Sequence, residues 1–494
     1  MNLRPKQELT NADVDKGLKM VIGDGVAAEA MTTLTGGAFL VAMALLLGAT
    51  NFQIGLLAAL PTITNLFLLI SVWLVRKYNN RRAIAVIGSL LARIPLIIVG
   101  IMTLTTAANT SIDILILFLF FYYFFGSLVG PSWNSWMKDL VPEKILGSYF
   151  AKRTVIMQAL NVILSILLAL LIDYIKKYDP SYQLSAYGIM FIVAGSLGVA
   201  GAFILARAPE PALVVVKDNF FSLLKRPLKN GNFLRLLIFN SVWVFAINLA
   251  TPFFTVFLLK DLNYPISYII TLGIISQVCS IFAVTKWGMF ADRYSNKTII
   301  ALTAPIYIVC IIAWCFVGIY TDLYTNLILL TGIYIFTGIS TAGVNLSLTN
   351  IGLKLAPKQE SIIYLAAKNL ITAFFSSTAP LFGGYLADYF TKRHLNITAQ
   401  YGGPTVNKVF RLVQLHDWNF LFLIGAFVAI IALELLVQVK ERGEVEKEQV
   451  KRIMRTRFRN SLRDYFLIGF LLTWHDHLWA AIRRKWKYEE EEDS

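Results

Sequence analysis

Charge is scarce in this chain. Asp, Glu, Lys and Arg together make up 15% of its 494 positions, against about a quarter in an ordinary soluble domain. Histidine occurs only four times and cysteine three times. Cys279, Cys310 and Cys315 all lie inside apolar runs, which argues against a disulfide framework. No GxxxxGK[ST] loop is present, which argues against a primary ATP-driven pump. No Ser/His/Asp constellation or metal-ligand set stands out either, so the chain reads as neither an enzyme nor a cofactor- or metal-dependent protein. The His475-Asp-His477 triplet does not change this, because histidines two apart face different sides of a helix. The first 20 residues are polar and lack the apolar core of a cleavable signal peptide.

Apolar residues are what the chain does have, at 57%. A bilayer-spanning helix needs about 20 of them in a row. Residues 30–75 carry no charge, enough for two spans, and uncharged runs such as 114–137, 180–206, 236–259 and 323–353 supply more. Alternating barrel strands would not give runs of that length. The expected fold is all-α and integral to the membrane, with twelve transmembrane helices between residues 22 and 439.

The formal charge of +15 has a topological reading. With twelve spans, 37 of the 45 Lys and Arg fall on the side of the two termini and 7 on the other, while Arg93 alone sits mid-span. By the positive-inside rule both termini are cytoplasmic. The basic balance therefore reports topology and not a nucleic-acid partner. A multi-pass protein of a bacterial inner membrane, acting as a monomer, is the expectation.

The two halves repeat. Arg76-Lys-Tyr-Asn-Asn-Arg81 after span 2 matches Asp292-Arg-Tyr-Ser-Asn-Lys297 after span 8, at an offset of 216. Leu140-Val-Pro142 with Tyr149, Ala151 and Arg153 matches Leu355-Ala-Pro357 with Tyr364, Ala366 and Lys368, at an offset of 215. Six spans separate the copies, so both halves cross the membrane in the same direction. That is a parallel repeat of two six-helix bundles, an arrangement that puts a solute site at the bundle interface. The expected units are an N-tail (1–21), an N-terminal bundle (22–207), a linker (208–233), a C-terminal bundle (234–439) and a C-tail (440–494). Pro209 and Pro211 open the linker by breaking the sixth helix.

On these features the chain resembles the major facilitator superfamily over about residues 20–440. The family's loop signature, G-x-x-x-D-R-x-x-x-K/R, is matched in the second half by Gly288-Met-Phe-Ala-Asp292-Arg293-Tyr-Ser-Asn-Lys297. The first half departs from it, with Val72 at the glycine position and Arg76 at the aspartate, though Lys77, Arg81 and Arg82 keep the basic end. The segment Trp133-Asn-Ser-Trp136-Met-Lys-Asp-Leu-Val-Pro142 is similar to a bacterial subgroup of these transporters. The resemblance implies a secondary transporter with a gate at this loop. An acidic residue beside a helix N-terminus gains about 0.3–1 kcal/mol from the macrodipole, so Asp292 is expected to latch onto a helix end of the other bundle. Its plainer reading is a solvated loop.

Charges inside spans cost on the order of 2.5–3.5 kcal/mol on insertion scales, which makes each a candidate. Asp24 and Glu29 lie in the cytoplasmic half of span 1, and Arg93 is roughly 15 Å deep in span 3. They are candidates for coupling to a proton gradient, against the alternative of a structural ion pair. Asp113, Asp173, Lys260 and Glu434 sit near span ends, where snorkelling explains a charge. The resembling family lines its cavity with spans 1, 2, 4, 5, 7, 8, 10 and 11. On those spans Tyr122, Tyr123, Trp133, Gln158, Asn161, Asn240, Trp243, Asn248, Gln277, Asn345 and Asn369 are the cavity candidates. Amides and rings suit a neutral polar or amphipathic solute, but such residues also tie helices together. Arg153 and Lys368 would either meet an anionic group or anchor the cytoplasmic face.

The C-tail is strongly basic over 440–463 and apolar, with interruptions, over 465–482. It fits a helix lying on the inner leaflet against anionic lipid. Three functions remain open: transport of a small organic solute by alternating access, transport of a lipid or amphiphile, or a sensor with a transporter fold that signals through this tail.

Overall fold

The computed structural model describes residues 5, 9–105, 111–211, 226–318, 323–357, 360–402 and 407–441. The C-tail reading, apart from its first two residues, lies outside these, as does most of the linker. Among the described residues, twelve helices are long and apolar enough to cross a bilayer. Spans 1–6 are Asn11–Leu46, Asn51–Tyr78, Arg81–Thr105, Ile112–Leu140, Glu143–Tyr178 and Pro180–Leu205. Spans 7–12 are Gly231–Asp261, Ile266–Arg293, Asn296–Phe316, Tyr324–Leu355, Ile363–Phe390 and Trp418–Val437. The even count brings the start of span 1 and the end of span 12 to one end of the molecule, here the proximal end; the other is distal. The long loop between spans 11 and 12 is an antiparallel hairpin, β1 (His394–Gly402) with β2 (Asn407–His416).

Local chemistry sets several helix boundaries. Thr10 and Asp13 form a reciprocal capping box that starts the first helix, and Thr50 and Gln53 form another at the start of span 2. Span 1 is broken about two-thirds of the way along: one helix ends at Thr35, and the next starts at Gly37, whose φ of +56° suits glycine. Within the N-terminal bundle, spans 3 and 6 approach so closely that a Cβ at Gly100 would lie 2.5 Å from the Gly188 carbonyl oxygen. Small residues permit this contact, which in lipid is the main source of helix affinity.

The internal repeat is legible in the polar contacts. Just beyond span 6, the buried Glu210 accepts hydrogen bonds from the backbone N–H groups of Arg81 (2.8 Å) and Arg82 (3.1 Å) and from Arg81 Nε (3.2 Å). Just beyond span 12, Glu441 accepts from the Lys297 backbone N–H (2.7 Å), Asn296 Nδ2 (2.8 Å) and Lys354 Nζ (3.0 Å). In each half, the carboxylate after the last span caps the first turn of the third. Arg81 also donates to the Ser135 carbonyl and pairs with Asp139, while Trp136 Nε1 donates to the Pro209 carbonyl at 2.9 Å. Arg81 and Arg82 of the first-half loop are thus occupied in tying the linker to the bundle.

Burial would raise the Glu441 pKa, but its hydrogen bonds from Lys297, Asn296 and Lys354 together outweigh that and hold it below the ordinary glutamate value. A depressed carboxylate contributes stability that is complete above its unfolded pKa and is lost as pH falls through its lower folded value. The tie is therefore intact at neutral pH and releases only in acid. Glu441→Gln should cost about 1–3 kcal/mol and accelerate amide exchange at Lys297 at pH 7. Unchanged exchange there would show that the cap does not hold span 9.

Candidate functional site

The described hydrogen bonds that cross between the bundles lie at the distal end. Asp388, at the end of span 11, accepts from the Asn51 (3.1 Å) and Phe52 (2.9 Å) backbone N–H groups, which open span 2. Asp173, near the end of span 5, accepts from the Ile266 and Ser267 N–H groups, both at 2.9 Å, which open span 8. The carboxylates are 215 residues apart, and so are the amides they cap. The two contacts are one interaction made twice across the repeat, each satisfying orphan N–H groups with a charge of the favourable sign. Asp173 therefore does more than snorkel.

Glycine lets the surfaces meet there. A Cβ on Gly55 of span 2 would fall 2.2 Å from the Pro380 carbonyl oxygen of span 11, and one on Gly384 would fall 2.6 Å from the Asn51 carbonyl oxygen. At the proximal end, Asp292 and Arg293 are exposed, the Arg293 guanidinium lying over the Tyr294 ring at 5.5 Å. Lys297 Nζ donates to the Val437 carbonyl at 3.3 Å, and Lys77 sits over the Trp73 ring at 4.8 Å. Gly288 has only the Leu346 side chain near the place of a Cβ, at 3.8 Å.

Two cavities lie on either side of span 1. The larger, about 830 Å³, is walled by spans 2, 3, 4 and 11, with Thr62, Asn65, Arg93, Tyr122, Tyr123, Asn134, Asn369 and Thr372 among its residues. The smaller, about 350 Å³, has Gly36 and Gly37 at the break in span 1, with Asn161, Gln277 and Tyr334. Both take walls from both bundles.

The sequence-derived candidates divide accordingly. Tyr122, Tyr123, Arg93 and Asn369 line the larger cavity, and Asn161 and Gln277 the smaller. Asn161 also donates to Thr33 Oγ1 at 2.9 Å. Asn240 is buried and donates to Thr372 Oγ1 at 2.6 Å, and Trp243 is buried between Phe239 and Tyr307. Asn248 donates to the Val244 carbonyl of its own helix at 2.8 Å. Gln158 and Glu29 are half-buried, and Asn345 is exposed. Trp133 packs on Phe150 and carries the Arg153 guanidinium 5.0 Å from its ring centre.

Asp24 and Arg93 come together as a buried pair, Arg93 Nη2 to Asp24 Oδ1 at 3.5 Å. Span 6 makes room for them: a Cβ on Gly198 would meet the Arg93 stem at 2.8 Å, and one on Gly201 would meet Asp24 Oδ1 at 3.2 Å. The glycines were visible in the sequence as Gly195, Gly198 and Gly201 at three-residue spacing, a stripe along one helix face. Asn65, Asn134 and Thr62 were missed as cavity residues, and Asp388 as a cap. No periodic signal marks any of them.

The Major Facilitator Superfamily profile matches residues 25–374 and again 287–482. None of the curated proteins matches the chain. Among solved structures, the nucleoside transporter NupG superposes with a TM-score of 0.60 at 13% identity, covering 88% of this chain and 100% of that one. A bacterial homologue of the iron transporter ferroportin, inward-facing, gives 0.60 at 12% identity over 88% and 100%. A bacterial homologue of the human lysosomal transporter Spinster, inward-facing and occupied, gives 0.55 at 15% identity over 76% and 81%. At these identities the likeness is one of fold.

Proposed function

The chain belongs to the Major Facilitator Superfamily and is a membrane transporter, and from that premise we propose that it carries a small organic solute by alternating access, coupled to protons. The observation that carries this reading is the pair of symmetry-related caps at the distal end, Asp173 on span 8 and Asp388 on span 2. They hold the bundles together at the distal end, while cavities of about 830 and 350 Å³ lie between the bundles. A rocking motion that breaks both caps and brings Asp292 against the other bundle would exchange the two ends. In this reading the state described is inward-open, with the proximal end cytoplasmic in a bacterial inner membrane. The protein works as a monomer, and its basic C-tail lies on anionic lipid.

Asp24 is the proton carrier in this scheme, with Glu29 a second candidate on the same helix. Asp24 can be ionised against Arg93 or protonated away from it, so its charge depends on the pair. The test is uptake of a solute panel into proteoliposomes with and without a pH gradient. Uptake that follows the gradient, and loses that dependence in Asp24→Asn, is the expected result. If Asp24→Asn and Glu29→Gln both keep the dependence, coupling runs through other groups. If no solute moves in either direction, the transport reading fails.

A further inference from the structure

We propose that the solute is an organic oxyanion, and that Arg93 binds its charged group at the wall of the larger cavity. The inference rests on the transport reading above and names its substrate class.

Arg93 is 95% buried and lines the cavity. Its guanidinium offers five N–H donors, yet the hydrogen bond described for it is a single long one, Nη2 to Asp24 at 3.5 Å. Nη1 is buried with no partner. A well-made structural ion pair looks different: Arg–carboxylate pairs favour short, bidentate geometry. Burying a cation with donors unmet is costly, so such an arrangement needs a reason to persist.

Asp24 has a second cation within electrostatic reach, Arg153, whose Nε is also buried without a partner. Two guanidiniums therefore draw on Asp24, with Glu29 half-buried further along the same helix. An anion in the cavity supplies a partner for the donor that Arg93 leaves unpaired. A planar carboxylate or a phosphate oxygen pair matches the fork that Arg93 presents. The hydroxyls of Tyr122 and Tyr123 and the amides of Asn65 and Asn369 line the same cavity and suit the body of an organic ion.

The spaces at Gly198 and Gly201 on span 6 are shared, the first by Met31 and the Arg93 stem and the second by Ala27 and Asp24. Span 6 thus sets where the guanidinium stands, and Asp24 competes with the solute for it. Removing that competitor should tighten anion binding.

The experiment is thermal unfolding of the full-length protein with sodium benzoate, sodium gluconate and glucose 6-phosphate, alongside benzamide and glucose as neutral counterparts. It is run on wild type, Arg93→Lys, Asp24→Asn and the double variant Asp24→Asn/Arg93→Gln. The double variant removes both charges together, so it leaves no orphaned aspartate to destabilise the fold. At least one anion should raise the wild-type melting temperature while its neutral counterpart does not. Its affinity should fall roughly 10- to 100-fold in the double variant, the loss expected for a hydrogen bond to a charged group. Asp24→Asn should bind more tightly than wild type, and Arg93→Lys should lie between wild type and the double variant. Response to the carboxylates or to the phosphate ester identifies the headgroup. Stabilisation by neutral compounds equal to that by anions, unchanged in the double variant, would overturn the proposal and leave the transport reading standing. A panel silent in all four proteins would overturn it as well, and uptake of a neutral solute into proteoliposomes would then show that transport survives without an anion site.

Discussion

Leucine in place of Gly55 should abolish solute movement while leaving both bundles folded. A Cβ there would sit 2.2 Å from the Pro380 carbonyl oxygen, and that oxygen belongs to helix backbone that cannot swing aside. Overpacking a tight contact costs about 1–3 kcal/mol for extra methylenes, and leucine adds four carbons to a contact with no room for one. A penalty of about 3 kcal/mol or more on closing the distal end corresponds to at least a roughly 100-fold fall in transport. The clash lies between bundles, so each bundle keeps its own packing. Gly338→Leu is the useful contrast: a Cβ there would lie 2.1 Å from the Ser276 carbonyl oxygen, between spans 10 and 8 of one bundle. That variant should unfold. Gly55→Leu with wild-type transport would mean that distal closure at this contact is not part of the cycle.

The second large effect concerns the paired caps. Removing a side-chain cap costs about 0.5–2 kcal/mol, typically near 1. Asp173→Ala or Asp388→Ala alone should shift the balance toward a distally open state by about fivefold, and the two together by roughly 30-fold. Distances between spin labels at the distal ends of spans 2 and 11 report the shift directly. Asp292→Ala should move the balance the other way, because the proximal latch that it would form is lost. If the two caps act as parts of one rigid contact, the double variant will exceed the sum of the singles, and a mutant cycle measures the excess. Labels that stay at the distally closed distance in the double variant would show that the glycine contacts alone hold this end.

The architecture was legible because the bilayer enforces it. Every spanning segment must be apolar and helical, so twelve spans and a parallel repeat can be read from hydropathy and two matched loops. Helix facing is another matter. The same apolar residues serve against lipid and against another helix, so nothing in the sequence separates Tyr122, which lines a cavity, from Trp243, which packs among rings inside a bundle. Asn240 and Asn369 lie on facing helices, yet the first ties span 7 to span 11 while the second lines the cavity. An ion pair of Arg93 with a span 1 carboxylate was an open alternative in the sequence, but which carboxylate it takes was not legible. The partners are 69 residues apart, and what joins them is space left by glycines on a third helix. Asp388 looks like any carboxylate at a span end; only its distance of 215 residues from Asp173 sets it apart.

The two ends of the molecule are unequally fastened. Distally there is a carboxylate for each of two helix starts, but proximally the position matching Asp292 is occupied by Arg76, whose charge has the wrong sign to cap a helix. In the proposed cycle, a carrier built this way dwells with its cavity turned toward the proximal end. Cargo on that side meets a waiting vestibule, whereas cargo on the far side must await a rare excursion. In the proposed alternating-access cycle, with the proximal end cytoplasmic, such a carrier is at low supply a ready exporter and a slow importer.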